Sequence, residues 1–206
     1  LIDCFHNALH RNVTMNINGI IKNKKDELAK KCYNMIKKMY TNDYSEFLDL
    51  FYGIHVSNIY SVDGEVLTQT PEPYFLISLP IPKDNKTPSL EDCFDLYTKE
   101  ELLTNENKFM YKDSKIDALR EIKFWKFPDI LVIDLKRFNN NARKNKILVT
   151  FPLENLNVSK YCIGYNKDLY VYDLYGICNH SGGVMGGHYT SYIKNANGKW
   201  YHFNDT

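Results

Sequence analysis

The chain is expected to be α+β, with helices first and an antiparallel sheet after them. Three observations carry that expectation. Residues 25–40 repeat apolar side chains at helical spacing: Leu28, Cys32, Met35, Ile36 and Met39 form a stripe, and lysines fill the other side. From residue 147 onward the chain is a succession of short strand-type runs. Between these regions, Asp63-Gly64 and the pair Pro80 and Pro82 punctuate further β-forming segments.

Taken in order, Leu1, Ile2, Phe5, Ala8 and Leu9 share one helical face. The helix over 25–40 is stopped by Asn42-Asp43. Residues 46–80 read as strands and turns, with β-formers at Ile54, Val56 and Ile59-Tyr60, a hairpin signal at Asp63-Gly64, and a strand over 74–79 closed by proline. Ser89-Leu-Glu-Asp92 has the form of a helix N-cap with an acid three residues on, and Leu90, Cys93, Phe94 and Tyr97 follow as its buried stripe. Residues 98–101 restart a short helix or turn. The apolar run 130–135 predicts a buried strand, and Asn139-Asn-Asn141 a turn. Segments 147–151, 161–163, 169–178, 188–194 and 199–204 predict successive antiparallel strands.

A length of 206 residues suits one domain, or part of one. Sixteen tyrosines and eleven phenylalanines point to broad aromatic packing or a broad contact surface. Lys+Arg of 26 against Asp+Glu of 25 gives no case for nucleic-acid or membrane attraction by the whole domain. The cluster Lys22-Asn-Lys24-Lys25 reads as solvated loop charge. No apolar run approaches the ~18 residues needed to span a bilayer. The opening Leu1-Ile-Asp-Cys-Phe-His has no signal-peptide form, no initiator Met, and starts in mid-pattern, so a fragment of a longer protein is expected. Five cysteines, Cys4, Cys32, Cys93, Cys162 and Cys178, are scattered without a CxxC pair. That gives no support for a zinc site of the usual spacing and fits a reducing, intracellular setting, cytoplasmic or nuclear.

The chemistry is concentrated near the end. Asn179-His180-Ser-Gly-Gly-Val-Met-Gly186-Gly187-His188-Tyr189-Thr-Ser-Tyr192 is followed by Trp200-Tyr-His-Phe203-Asn204-Asp205-Thr206. Along the first strand, His188, Thr190 and Tyr192 share one face; Tyr189, Ser191 and Ile193 share the other. The histidine's partner depends on the turn. A two-residue Asn197-Gly198 turn pairs Ala196 with Lys199 and brings Asp205 onto the histidine's face. A three-residue Ala196-Asn197-Gly198 loop, with Gly198 left-handed, pairs Asn195 with Lys199 and sets Asn204 diagonally from His188. A general base needs an orienting acceptor on its far nitrogen, and an Asn carbonyl can fix the tautomer without adding charge. Gly186-Gly187 permits close backbone approach, as a substrate tail without side chains requires. A structural histidine in a Gly-rich hairpin is the bland alternative.

This string resembles the histidine box of the ubiquitin-specific proteases, the papain-like cysteine deubiquitinases. Other segments resemble family blocks in the same order: Phe75-Leu-Ile-Ser-Leu-Pro-Ile-Pro82, Ser89-Leu-Glu-Asp-Cys-Phe94, Thr98-Lys-Glu-Glu101 with Leu103-Thr-Asn-Glu-Asn-Lys-Phe109, Ile122-Lys-Phe-Trp-Lys-Phe-Pro128, Leu131-Val-Ile-Asp-Leu-Lys-Arg-Phe138 and Phe151-Pro-Leu-Glu-Asn-Leu156. The resemblance implies a thumb–palm–fingers architecture truncated at the N-terminus, with residues 1–45 as a helical thumb remnant, 46–120 as fingers and connecting helix, and 121–206 as palm. It implies His188 as general base, Asn204 as its orienting partner and Asp205 in support, polarising a water or stabilising the oxyanion. Gly186, Gly187 and Tyr189 would line the channel for ubiquitin's Gly-Gly tail, with Phe138 packing against it. Residues 179–185 resemble a loop that must clear before the tail enters.

Two departures from the family pattern follow. The cysteine box that carries the nucleophile is missing, and none of the five cysteines replaces it: Cys4 lies beside an apolar helix stripe, Cys32 and Cys93 are on buried stripes, and Cys162 and Cys178 sit in strands without a helix N-terminus to lower their pKa. The two CxxC pairs of the fingers are replaced by Ser57-Asn-Ile-Tyr60 and Tyr111-Lys-Asp-Ser114, so no zinc and no other cofactor is expected, and tyrosine packing should hold the fingers. The expected activity of the complete protein is thiol-dependent hydrolysis after ubiquitin's C-terminal glycine, with ubiquitin or ubiquitinated proteins as partners. The alternative is a catalytically inactive ubiquitin-binding module, and a ubiquitin-like modifier as substrate is a third option.

Overall fold

Three helices precede the first strand in the computed structural model, which describes residues 2–139 and 141–205: α1 (Ile2–Leu9), α2 (Lys24–Tyr40) and α3 (Glu46–Phe51). Leu1 of the first stripe, Asn140 of the expected turn and Thr206 lie outside the described residues. The strands and remaining helix follow as β1 (Gly53–Ser61), β2 (Val66–Tyr74), β3 (Leu76–Leu79), α4 (Leu90–Thr98), β4 (Glu101–Leu103), β5 (Phe109–Tyr111), β6 (Ser114–Ile116), β7 (Ala118–Lys126), β8 (Val132–Leu135), β9 (Leu156–Asn157), β10 (Val171–Tyr172), β11 (Gly176–Gly183), β12 (Gly186–Lys194) and β13 (Trp200–Phe203). The α+β class is as expected. Two compact units divide these elements: residues 1–77, 97–133 and 159–169 form the first, and 78–96, 134–158 and 170–206 the second.

In the first unit a four-stranded antiparallel sheet runs in the order β2-β1-β7-β4. Helix α2 begins where the Asn23 side chain accepts a 3.0 Å hydrogen bond from the Asp26 N–H, which satisfies an otherwise unpaired first-turn donor. Its stripe of Leu28, Ala29, Cys32 and Ile36 packs with Ile54 and Val56 of β1 and Trp125 of β7. Burying such side chains stabilises each by about 1.5–3 kcal/mol, which is why this helix and sheet form one layer pair. Lys25 is in the first turn of α2 rather than a loop; its ammonium donates to the Gly164 carbonyl at 3.1 Å and stands over the Tyr165 ring. The β1–β2 hairpin turns at Asp63-Gly64 as predicted, with Gly64 at φ +85.

Three expectations for this region change, and one strand carried no signal. Residues 46–51 form helix α3 instead of strand, because Leu48 is buried while Phe47 stacks between Phe5 and Phe51 at helical spacing. Residues 98–101 restart no helix: Thr98 ends α4 and Glu101 opens strand β4, which pairs with β7. β7 itself, the strand flanked by β1 and β4, carries Arg120, Glu121 and Lys123 among its apolar residues, so it shows no period-2 signal. Segment 161–163 is a 3₁₀ turn and a single bridge from Cys162 to Phe124 rather than a strand.

In the second unit, α4 starts with a reciprocal cap. The Asp92 N–H donates to Ser89 Oγ at 3.1 Å, and the Ser89 N–H donates to Asp92 Oδ2 at 2.8 Å. Leu90, Cys93 and Phe94 are buried as expected, with Leu79, Ile81, Val149, Leu156 and Val158 also buried in this unit. Segment 147–151 is no strand; one parallel bridge joins Thr150 to Ser89. The run 130–135 shortens to β8, which is half-buried rather than buried. The last three strands form an antiparallel sheet in the order β11-β12-β13, and none of their residues is buried. Trp200, Tyr201, Phe203, Tyr192 and Tyr189 are all exposed there.

Candidate active site

Strand β12 enters from a tight turn at Val184-Met185 that closes the β11–β12 hairpin, with Gly183 opposite Gly186 and Ser181 opposite His188. The next hairpin takes the three-residue form. Lys194 pairs with Trp200 and Ser191 with Phe203, the Asn195 N–H donates to the Lys199 carbonyl at 3.0 Å, and the Gly198 N–H closes the turn on the Asn195 carbonyl at 2.8 Å. Gly198 adopts φ +76, the left-handed conformation that such a loop requires and that only glycine takes without strain. This register puts Asn204 diagonally across from His188.

The contact follows. His188 Nε2 and Asn204 Oδ1 are 2.5 Å apart. The Asp205 backbone N–H also donates to Asn204 Oδ1, at 3.0 Å, so that atom is the amide's acceptor. The imidazole must therefore present N–H at Nε2, which leaves the lone pair on Nδ1. A proton-accepting Nδ1 is the state a general base needs. Asp205 Oδ2 stands 3.7 Å from that Nδ1, and its side chain is 85% exposed.

A cavity of about 390 Å³ lies against the start of the same hairpin, lined by Phe138, His180, Gly183, Val184, Gly186, Gly187 and Tyr189. Four sequence-selected residues, Phe138, Gly186, Gly187 and Tyr189, thus share one concavity. Gly187 has an internal reason to be glycine: a Cβ there would overlap the His180 imidazole and the Ser181 carbonyl, whereas a Cβ at Gly186 would meet open space. His180, read from sequence only as part of a mobile-type loop, is an ordered wall of β11. Its ring lies 4.6 Å from that of Tyr189 and 5.9 Å from that of Phe138. Lys144 holds it, donating to His180 Nδ1 at 3.0 Å and to the His180 carbonyl at 2.5 Å. Lys144 carried no signal in the sequence, because the contact joins residues far apart in the chain.

Three of the five cysteines are buried and two are exposed. Burial pushes the Cys32 thiol up to about 12 and raises Cys93 and Cys162 as well, so thiolate is disfavoured in each. Cys178 is exposed on β11 but pairs with Ser191, three residues and ~10 Å along the sheet from His188. Cys4, expected beside packed core, is exposed, because α1 buries none of its residues. Ser57–Tyr60 lie on β1, and Tyr111 stacks on Phe109 at 6.5 Å; neither stretch contains a cysteine.

The family profile described as ubiquitin carboxyl-terminal hydrolase matches residues 3–206. The chain belongs to that family. Over its full length it is 33% identical to human ubiquitin carboxyl-terminal hydrolase 2, of which the match covers 35%. It is 40% identical over 129 residues, 59% of its length, to hydrolase 12 of Saccharomyces cerevisiae, of which the match covers 10%. The chain thus spans about a third or less of these relatives. A solved SAGA DUB module bound to ubiquitin aldehyde superposes with a TM-score of 0.65 at 27% identity, covering 87% of this chain and 42% of that one. The mixed α+β architecture is that of a papain-like deubiquitinase domain. Among the described residues no helix is long and apolar enough to cross a membrane.

Proposed function

We propose that the complete protein is a cysteine-type deubiquitinase that hydrolyses the bond after ubiquitin's C-terminal glycine. The observation that carries this reading is the His188–Asn204 hydrogen bond, in which the amide's acceptor oxygen forces the lone pair onto Nδ1. His188 takes the proton of a thiol supplied by a segment outside this sequence. The thiolate attacks the glycyl carbonyl, an acyl-enzyme forms, the amine leaves with the proton, and water completes hydrolysis. Asn204 holds the imidazole in one tautomer and orientation. Asp205, 3.7 Å from Nδ1, stabilises the imidazolium formed in the first step.

Phe138, Gly186, Gly187 and Tyr189 line the channel for the tail, and the cavity they share supports that role. An extended Gly-Gly tail carries no side chains, so it fits a wall with no Cβ at two successive positions. The solved relative bound to ubiquitin aldehyde supports ubiquitin as the ligand class. Residues 1–45, 46–120 and 121–206 correspond on this reading to thumb, fingers and palm, and the protein acts inside the cell. The test is a fluorogenic ubiquitin C-terminal reporter on the complete protein, wild type against His188→Ala. Near-abolished turnover with retained ubiquitin binding is the expected outcome. Turnover at the wild-type rate would remove His188 as base, and binding without turnover in the wild type would make the protein an inactive binding module.

A further inference from the structure

Helix α1 buries none of its residues, yet its last turn faces a dense polar cluster. His6 Nε2 lies 3.1 Å from Asp43 Oδ2, and His10 Nδ1 lies 3.3 Å from Asp43 Oδ1. All three ligand-type atoms are within 4.8 Å of one another. We propose that His6, His10 and Asp43 form a binding site for a divalent transition-metal ion of the zinc class, which clips α1 to the turn before α3.

The donor set selects the ion. Two imidazoles and a carboxylate suit zinc and its first-row neighbours, whereas calcium and magnesium demand oxygen throughout. Ligand atoms bound at ~2.0–2.1 Å to a tetrahedral ion lie ~3.3 Å apart; His6 keeps about that spacing from Asp43 Oδ2 and His10 from Asp43 Oδ1, and a small turn of the carboxylate presents one oxygen to both. The remaining adjustment is to bring the two imidazole nitrogens together, and His10 follows the end of α1 directly, four positions after His6.

The surroundings hold the ligands in advance. His6 Nδ1 is 2.7 Å from Ser45 Oγ, and Ser45 is fully buried. The Ser45 hydroxyl fixes His6 Nδ1 and so aims Nε2 at Asp43, where it becomes a metal ligand once the ion displaces its proton. Ser45 precedes α3 but makes no cap hydrogen bond with its side chain, which is instead given to His6. On the other side, Arg11 and Tyr44 exchange backbone hydrogen bonds of 2.9 and 3.0 Å, so His10 is fixed beside Asp43. The Arg11 guanidinium is turned into Glu46, at 2.6 and 3.1 Å, and over the Tyr44 ring at 4.9 Å. It therefore does not take the carboxylate that a cation would use. His10 and Asp43 are 51% and 58% exposed, which leaves the fourth corner to water and gives the ion an entry path.

The site is separate from the finger positions where the family's thiolates are replaced. Its test is calorimetric titration of zinc chloride into the full, chelator-treated chain, with thermal melts alongside. One zinc per chain at roughly micromolar Kd and a melting temperature higher by several degrees are expected. His10→Gln and Asp43→Asn should each weaken binding at least ~10-fold, while far-ultraviolet circular dichroism stays unchanged because both side chains are half exposed. His188→Ala and Cys4→Ser should leave the zinc in place. Binding that survives His10→Gln and Asp43→Asn, binding lost in His188→Ala or Cys4→Ser, or no binding tighter than ~1 mM would each overturn the assignment.

Discussion

The sheet β2-β1-β7-β4 and the sheet β11-β12-β13 are both antiparallel and differ in how much of each is buried. The first packs Ile54, Val56 and Trp125 against helix α2 and is a true core. The second has no buried residue, and yet it carries His188, Asn204 and the cavity of Phe138, His180 and Tyr189. Burial is thus concentrated in one sheet and the candidate chemistry in the other. Residues that do chemistry must be reachable, and reachable residues contribute little burial. The price is an imidazole held by hydrogen bonds and turn geometry alone.

The sharpest way to break this comparison is a pair of substitutions. His188→Ala is expected to lower kcat/KM on a ubiquitin reporter by roughly 10²–10⁴-fold in the complete protein. The same change should shift urea-unfolding stability by less than ~0.5 kcal/mol, because the side chain is about half exposed. Phe124→Ala, fully buried on β7, should cost about 3–5 kcal/mol in the same unfolding experiment. If His188→Ala destabilised as much as Phe124→Ala, the division between the two sheets would not hold.

A register test sharpens the point. Deleting Lys199 keeps the three-residue loop, pairs Asn195 with Trp200 instead, and moves every β13 side chain to the other face. Asp205 then replaces Asn204 on the histidine's side. Reporter turnover should drop at least ~10-fold, and a heteronuclear spectrum of the histidine ring should show the Nε2–H hydrogen bond lost or moved. Gly198→Ala asks the same question more gently. At φ +76 it should cost about 1 kcal/mol of stability with a smaller loss of activity.

The smallest effect belongs to the surface of the first unit. The Arg11 guanidinium holds the Glu46 carboxyl down at about 2, from an ordinary 4.5. A depressed carboxylate contributes stability that is present above its unfolded value and lost as pH falls toward its folded one. Stability should therefore decline between about pH 4.5 and pH 2, and Arg11→Met should flatten that part of the curve. Both groups are exposed, so the slope is shallow and shrinks with added salt.

What the sequence by itself determined are the features written within a few residues of each other. The stripe of α2, the Ser89–Asp92 cap, the Asp63-Gly64 turn and the histidine-box hairpin are all local, so period, cap and turn chemistry specify them. Even the choice between Asn204 and Asp205 was reduced to the length of one turn. Only the tertiary structure decided that turn in favour of three residues. It alone placed β7 between β1 and β4 against its weak alternation, turned 46–51 into helix through Phe5 and Phe51, and left 147–151 as a single bridge. It alone brought Lys144 to His180 and Asp43 to His6 and His10. Such contacts join segments distant in the chain, and their energy comes from partners that no local pattern names.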